Sequence, residues 1–89
     1  MQFFELHWTP DRLDKIAGGH GVGPEEVEEA FYDDERGRLF RARGDRYLYC
    51  GRTQAGRRVL IVLVNEGHGI AGPISAREPT ESERRTYFD

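Results

Sequence analysis

Residues 58–65, Arg-Val-Leu-Ile-Val-Leu-Val-Asn, are the stretch that decides the fold. The run is rich in β-branched residues and bounded by Gln54-Ala55-Gly56 before it and Gly67-His68-Gly69 after it. A short apolar run between turn signals reads as a central strand covered on both faces. Its purely apolar part, Val59 to Val64, falls far short of the roughly 20 residues a membrane-spanning helix needs. The N-terminus also lacks a basic region leading into an apolar stretch, so a soluble, cytoplasmic protein is expected.

On either side of this run the pattern stays β. From Arg38 the apolar period is two: Leu39 to Arg43, a Gly44-Asp45 turn, then Arg46 to Thr53, with Tyr47 and Tyr49 facing opposite to Leu48 and Cys50. After the central strand, Ile70 to Ser75 reads as another strand, and Thr80-Glu81-Ser82-Glu83 is a capping box that starts a short helix through Tyr87. The N-terminal third is mainly helical. Gln2 to Trp8 reads as a first strand. Thr9 then caps a helix with Pro10 at its first position and Leu13, Ile16 and Ala17 on one face, stopped by Gly18-Gly19. Gly23-Pro24 opens a second helix with Glu25 and Glu26 in its first turn and Val27, Ala30 and Phe31 on one face. The sum is an α+β fold: an N-terminal helical pair on a roughly four-stranded antiparallel sheet, a possible edge strand from the N-terminus, and a short C-terminal helix.

Eighty-nine residues suffice for one domain, with no internal repeat or linker. At 37% apolar and 33% charged residues the chain can build a modest core and is too apolar to read as disordered. The single cysteine, Cys50, forms no internal disulfide, and a structural zinc site of the cysteine-rich kind is excluded. His7, His20 and His68 are too scattered to suggest a metal site, so none is expected. No phosphate-binding glycine loop, zinc-protease helix or nucleophile elbow is present, which argues against a cofactor enzyme.

Charge is unevenly distributed. The net charge is −3, but residues 1–45 carry six basic against eleven acidic residues and residues 46–89 carry seven against five. Twelve of the thirteen cations are arginine, whose planar fork suits bidentate phosphate recognition. A GC-rich genome accounts for the same bias. No helix has the basic exposed face that major-groove entry requires, so a direct DNA-binding repressor is disfavoured.

An ordered set of short motifs spans nearly the whole chain. It comprises Trp8-Thr9-Pro10, His20-Gly21-Val22, Glu25-Glu26-Val27, Phe31-Tyr32-Asp33-Asp34, Arg46-Tyr47-Leu48 and Gly51-Arg52-Thr53 before the central strand. It closes with Ile74-Ser75-Ala76-Arg77-Glu78 and Glu83-Arg84-Arg85-Thr86-Tyr87. In this order the sequence resembles the BrnT-type ribonuclease toxins of bacterial toxin–antitoxin pairs. The resemblance implies a fold similar to RelE-type toxins, RNA cleavage without metal or other cofactor, and neutralisation by a ribbon-helix-helix antitoxin. The implied assembly with that antitoxin is a heterotetramer, with DNA bound only through it. Where that family often carries basic residues before the His-Gly-Val turn, this chain has Gly18-Gly19.

Cleavage beside a 2′-hydroxyl needs a base for the hydroxyl proton, cations on the transferring phosphoryl oxygens, and an acid near the leaving 5′-oxygen. Arg52 and Arg77, at strand ends and in matching motif positions, are the expected phosphoryl cations; Glu78 and His20 are the expected proton-transfer pair. Trp8, Arg57, Arg84 and Arg85 are candidates for RNA contact. Each has a plainer reading. His20 can bond a helix-end carbonyl, Trp8 can anchor the core, Arg77-Glu78 can be an ion pair, and Arg84-Arg85 can complement a helix C-terminus. The alternative function is a catalytically weak or inactive toxin-like protein-interaction module.

Overall fold

The strand over residues 58–65 is the centre of the molecule, as its composition predicts. A computed structural model describes residues 1–88. In chain order the elements are β1 (Glu5–Leu6), α1 (Pro10–Ala17), α2 (Pro24–Glu28), β2 (Arg38–Arg41), β3 (Arg46–Arg52), β4 (Arg58–Gly67), β5 (Ile70–Arg77) and α3 (Glu81–Glu83). Widened π-type turns, Glu29–Asp33 and Arg84–Phe88, extend α2 and α3. The strands form one sheet in the order β1-β5-β4-β3-β2, so β4 has two neighbours on either side.

The expected four antiparallel strands are present, but the sheet is five-stranded and mixed. β1 pairs with β5 in parallel, through Glu5 opposite Ile70 and Leu6 opposite Ala71. The first strand, expected over Gln2 to Trp8, shrinks to two residues because Thr9 caps α1 directly afterwards, with its Oγ1 accepting from the Arg12 N–H at 3.2 Å. On α1 only Ile16 is buried; Leu13 is 40% exposed, so the expected three-residue face is narrower. The second helix keeps its α geometry only to Glu28. The C-terminal helix is likewise a single α turn followed by the Arg84–Phe88 turn.

Alternation along the strands separates two faces. Val59, Ile61 and Leu63 of β4 face the helices and join Ile16, Val22, Val27, Ala30, Phe31, Tyr47 and Ala76 in the core. Each such aliphatic side chain, fully buried, contributes about 1.5–3 kcal/mol. Gly51 is required here: a Cβ on it would lie 2.5 Å from the Ala30 carbonyl oxygen, so β3 and the π turn meet backbone to backbone. The other face is covered by the C-terminal segment, with Tyr87 packed on Phe40 at 4.8 Å between ring centroids. Beneath it Cys50 and Leu60 are buried. No helix among the described residues is long and apolar enough to cross a membrane.

Candidate active site at the arginine-bearing end of the sheet

Cross-strand partners in a sheet present their side chains on the same face. The register places Arg38 opposite Cys50, Cys50 opposite Leu60, and Leu60 opposite Arg77, which makes one row across four strands. In the next row Arg52 stands opposite Arg58. Four arginines, Arg38, Arg52, Arg58 and Arg77, therefore share the face away from the helices, at the end where β3 and β5 finish and β4 begins. Arg36 joins Arg38 and Arg52 around a cleft of about 210 Å³, roofed by Tyr87 and Phe88.

The two expected phosphoryl cations, Arg52 and Arg77, thus lie on one face but in different surroundings. Arg77 is held by Glu83 in a fork, Nη1 to Oε1 at 2.6 Å and Nη2 to Oε2 at 2.8 Å. Glu83 also accepts from the Thr80 N–H at 2.9 Å, so one carboxylate closes both the capping box and the arginine fork. These bonds, Arg77 first and then the Thr80 amide, pull the Glu83 carboxyl down to about 2. Arg52 has no ion pair among the described residues. Its backbone N–H donates to Asp34 Oδ2 at 2.7 Å, and its guanidinium lies 5.6 Å from the centre of the Phe88 ring.

Glu78 follows Arg77 in sequence yet points to a different partner. Arg57, placed by the Thr53–Arg57 turn, donates from Nε to Glu78 Oε2 at 2.8 Å and from Nη1 to both oxygens of Glu26 at 2.9 Å. Glu26, first through Arg57 and then through the Gly23 N–H, has its carboxyl held below the ordinary range. The hydrogen bonds that Arg57 donates, first to Glu26 and then to Glu78, raise its own pKa in turn. The Glu78 side chain remains 60% exposed.

The other expected site residues are distributed around this end and beyond it. His20 is exposed in the turn before α2 and lines a separate cleft with Lys15 and Ser75; its neighbour Gly21 abuts the Arg57 guanidinium. Arg84 joins Arg57, Arg58, Glu78 and Pro79 around a cleft of about 260 Å³. Arg85 is exposed. Trp8 is half-buried, packs against the core and donates from Nε1 to Glu28 Oε2 at 3.2 Å. Sequence reasoning missed Arg38 and Arg58. Both follow from strand parity once the register is known, and Arg58 alone has a buried Nε with no hydrogen-bond partner among the described residues. No group of three or more His, Cys, Asp or Glu among them is placed to hold a metal ion.

No protein-family model matches the chain. No curated protein matches it either. Among solved structures it is similar to the 1.1 Å crystal structure of the Brucella abortus ribonuclease toxin BrnT, with a TM-score of 0.67 over 86% of this chain and 97% of that one, at 15% identity. The chain has the BrnT fold. The match takes in nearly all of the Brucella BrnT chain, so the expectation of a BrnT-like fold from the ordered motifs holds at the level of architecture.

Proposed function

We propose that this chain is an endoribonuclease toxin of a toxin–antitoxin pair, which cleaves RNA to inhibit translation without needing a metal. The observation that carries the reading is the four-arginine sheet end, Arg38, Arg52, Arg58 and Arg77, bordered by the exposed, arginine-held carboxylate of Glu78. Arginine forks stabilise charge on phosphoryl oxygens because they stay charged and make paired bonds. Glu78, anchored at Oε2 by Arg57, takes the proton of a ribose 2′-hydroxyl; the 2′-oxygen then bonds to phosphorus as the bond to the 5′-oxygen breaks. The leaving 5′-oxygen takes a proton from water, because His20 lines a separate cleft, giving a 2′,3′-cyclic phosphate and a 5′-hydroxyl end. The similarity in fold to a ribonuclease toxin supports this reading. A ribbon-helix-helix antitoxin covering the arginine face, as a heterotetramer with any DNA contact made by the antitoxin, completes it.

One observation favours the alternative of a toxin-like interaction module with weak or no catalysis. Arg57 and Arg77 both have their forks occupied by carboxylates of the same chain, Glu26 and Glu78 in one case and Glu83 in the other. Inducible expression of the chain alone in a bacterial host separates the two readings. Growth arrest with loss of bulk RNA, abolished in an Arg77→Ala/Glu78→Ala variant that keeps its circular dichroism spectrum, is the expected result. Cleavage by the purified protein should persist in excess chelator. Normal growth with intact RNA at high soluble expression rejects the ribonuclease reading.

A further inference from the structure

We propose that the cleft between Arg58 and Arg84, beside Glu78, is a binding site for a phosphate group. Arg58 lines it with Arg57, Glu78, Pro79 and Arg84. Among the described residues the buried Nε of Arg58 has no hydrogen-bond partner and its guanidinium takes part in no ion pair. A buried donor left unpaired is costly, the more so when charged, so this side chain is set for a partner that the described residues do not provide.

Its surroundings specify the charge of that partner. Arg52 is directly opposite on β3, an arrangement of like charges that destabilises a sheet. Arg84, across the cleft, is exposed and also forms no ion pair among the described residues. The carboxylate that lines the cleft, Glu78, is already bonded to Arg57 Nε at 2.8 Å. The cleft, at about 260 Å³, holds a tetrahedral oxyanion and several waters, each water taking roughly 30 Å³. A carboxylate has two oxygens and matches one guanidinium fork, whereas a phosphate has enough oxygens to bridge the forks of Arg58 and Arg84 together. The site rests on the ribonuclease reading only for its natural occupant, a phosphodiester of RNA; free phosphate is the other source of the same chemistry.

Titration of the full chain with inorganic phosphate, following the arginine Nε–H signals by NMR, tests the site. The expected result is saturable shifts of the Arg58 and Arg84 signals, with the apparent affinity for phosphate lowered by a competing short ribonucleotide. Removing one charge-assisted fork with Arg84→Gln should weaken phosphate binding about tenfold. Arg43→Gln, in the hairpin turn at the other end of the sheet, should leave it unchanged. Immobile Arg58 and Arg84 signals, equal weakening by both variants, or identical shifts with acetate at matched ionic strength overturn the proposal. The site and the ribonuclease reading fail separately. Phosphate binding at Arg58 with intact RNA in cleavage assays keeps the site and removes the activity. RNA cleavage by a protein whose Arg58 and Arg84 signals stay immobile with phosphate removes the site and keeps the activity.

Discussion

Arg52 and Arg58 stand directly opposite one another on neighbouring strands, with their side chains on the same face of the sheet. Their guanidiniums have no carboxylate partner among the described residues, so folding places two like charges side by side. Replacing Arg52 with glutamine should therefore stabilise the protein at low salt by about 0.5–1 kcal/mol, with the gain shrinking as salt screens the pair. The same variant should bind RNA more weakly. Thermal melts at two ionic strengths, paired with RNA-binding measurements, check both halves; a destabilised Arg52→Gln protein at low salt contradicts the account.

Glu78 tests the proton-transfer role by itself. Glu78→Gln keeps the hydrogen bond from Arg57 but cannot accept a proton, so the RNA-cleavage rate should fall by about 10²–10⁴-fold with little change in melting temperature. A cleavage rate within a few-fold of the parent's removes Glu78 from that role.

Glu83 makes the fold sensitive to acid. Its carboxyl, held at about 2 in the folded chain against an ordinary 4.5, contributes stability that is fully present above the ordinary value and is lost as the pH falls towards 2. After allowance for partial solvent exposure the contribution is about 1–2 kcal/mol. Denaturant titrations from pH 6 to pH 2 should show Glu83→Gln losing less stability over that range than the parent. Parallel profiles contradict the assignment.

Gly51 should tolerate no side chain. A Cβ there meets the Ala30 carbonyl at 2.5 Å, and neither the strand nor the π turn can retreat without losing core contacts. Gly51→Ala should cost about 1–3 kcal/mol by denaturant unfolding. Gly23→Ala, whose Cβ meets nothing within 4 Å, is the matched control.

Cys50 reports on the C-terminal cover. Burial, the main cause, pushes its thiol up to about 12, so alkylation of the native protein at pH 8 should be slow. Ending the chain after Pro79 removes the segment that overlies it, and the alkylation rate should rise at least about tenfold. Equal rates before and after truncation show that the segment does not shield the thiol.

The local punctuation was legible in the chain itself. Thr9-Pro10 and Thr80-Glu81-Ser82-Glu83 start helices because their side chains satisfy the first free amides, and glycines with positive φ at 44, 56, 67 and 69 fall in or beside the turns that separate the strands. The β-branched run of β4 identified the central strand from composition alone, and the order of short motifs was enough to anticipate the BrnT-like architecture. Arg52 and Arg77 were singled out from their place at strand ends together with their match to motif positions of the BrnT-type resemblance, and alternation placed Tyr49 and Cys50 on opposite faces.

Which charges meet was decided only by the tertiary structure. Arg77 and Glu78 are neighbours in sequence and looked like an ion pair, but β5 ends at Arg77, and Arg77 takes Glu83 while Glu78 takes Arg57. The facing of Arg52 by Arg58 depends on strand register, a long-range property that no local pattern carries. The parallel pairing of β1 and the burial of Arg58 Nε have the same origin, for both arise from segments distant in sequence. Sequence by itself determined the order of the elements and where the helices begin, because caps, turns and apolar periods act within a few residues. Only the folded chain decided which face each arginine occupies and what partner it has, because hydrogen bonds and ion pairs depend on distances set by the whole sheet.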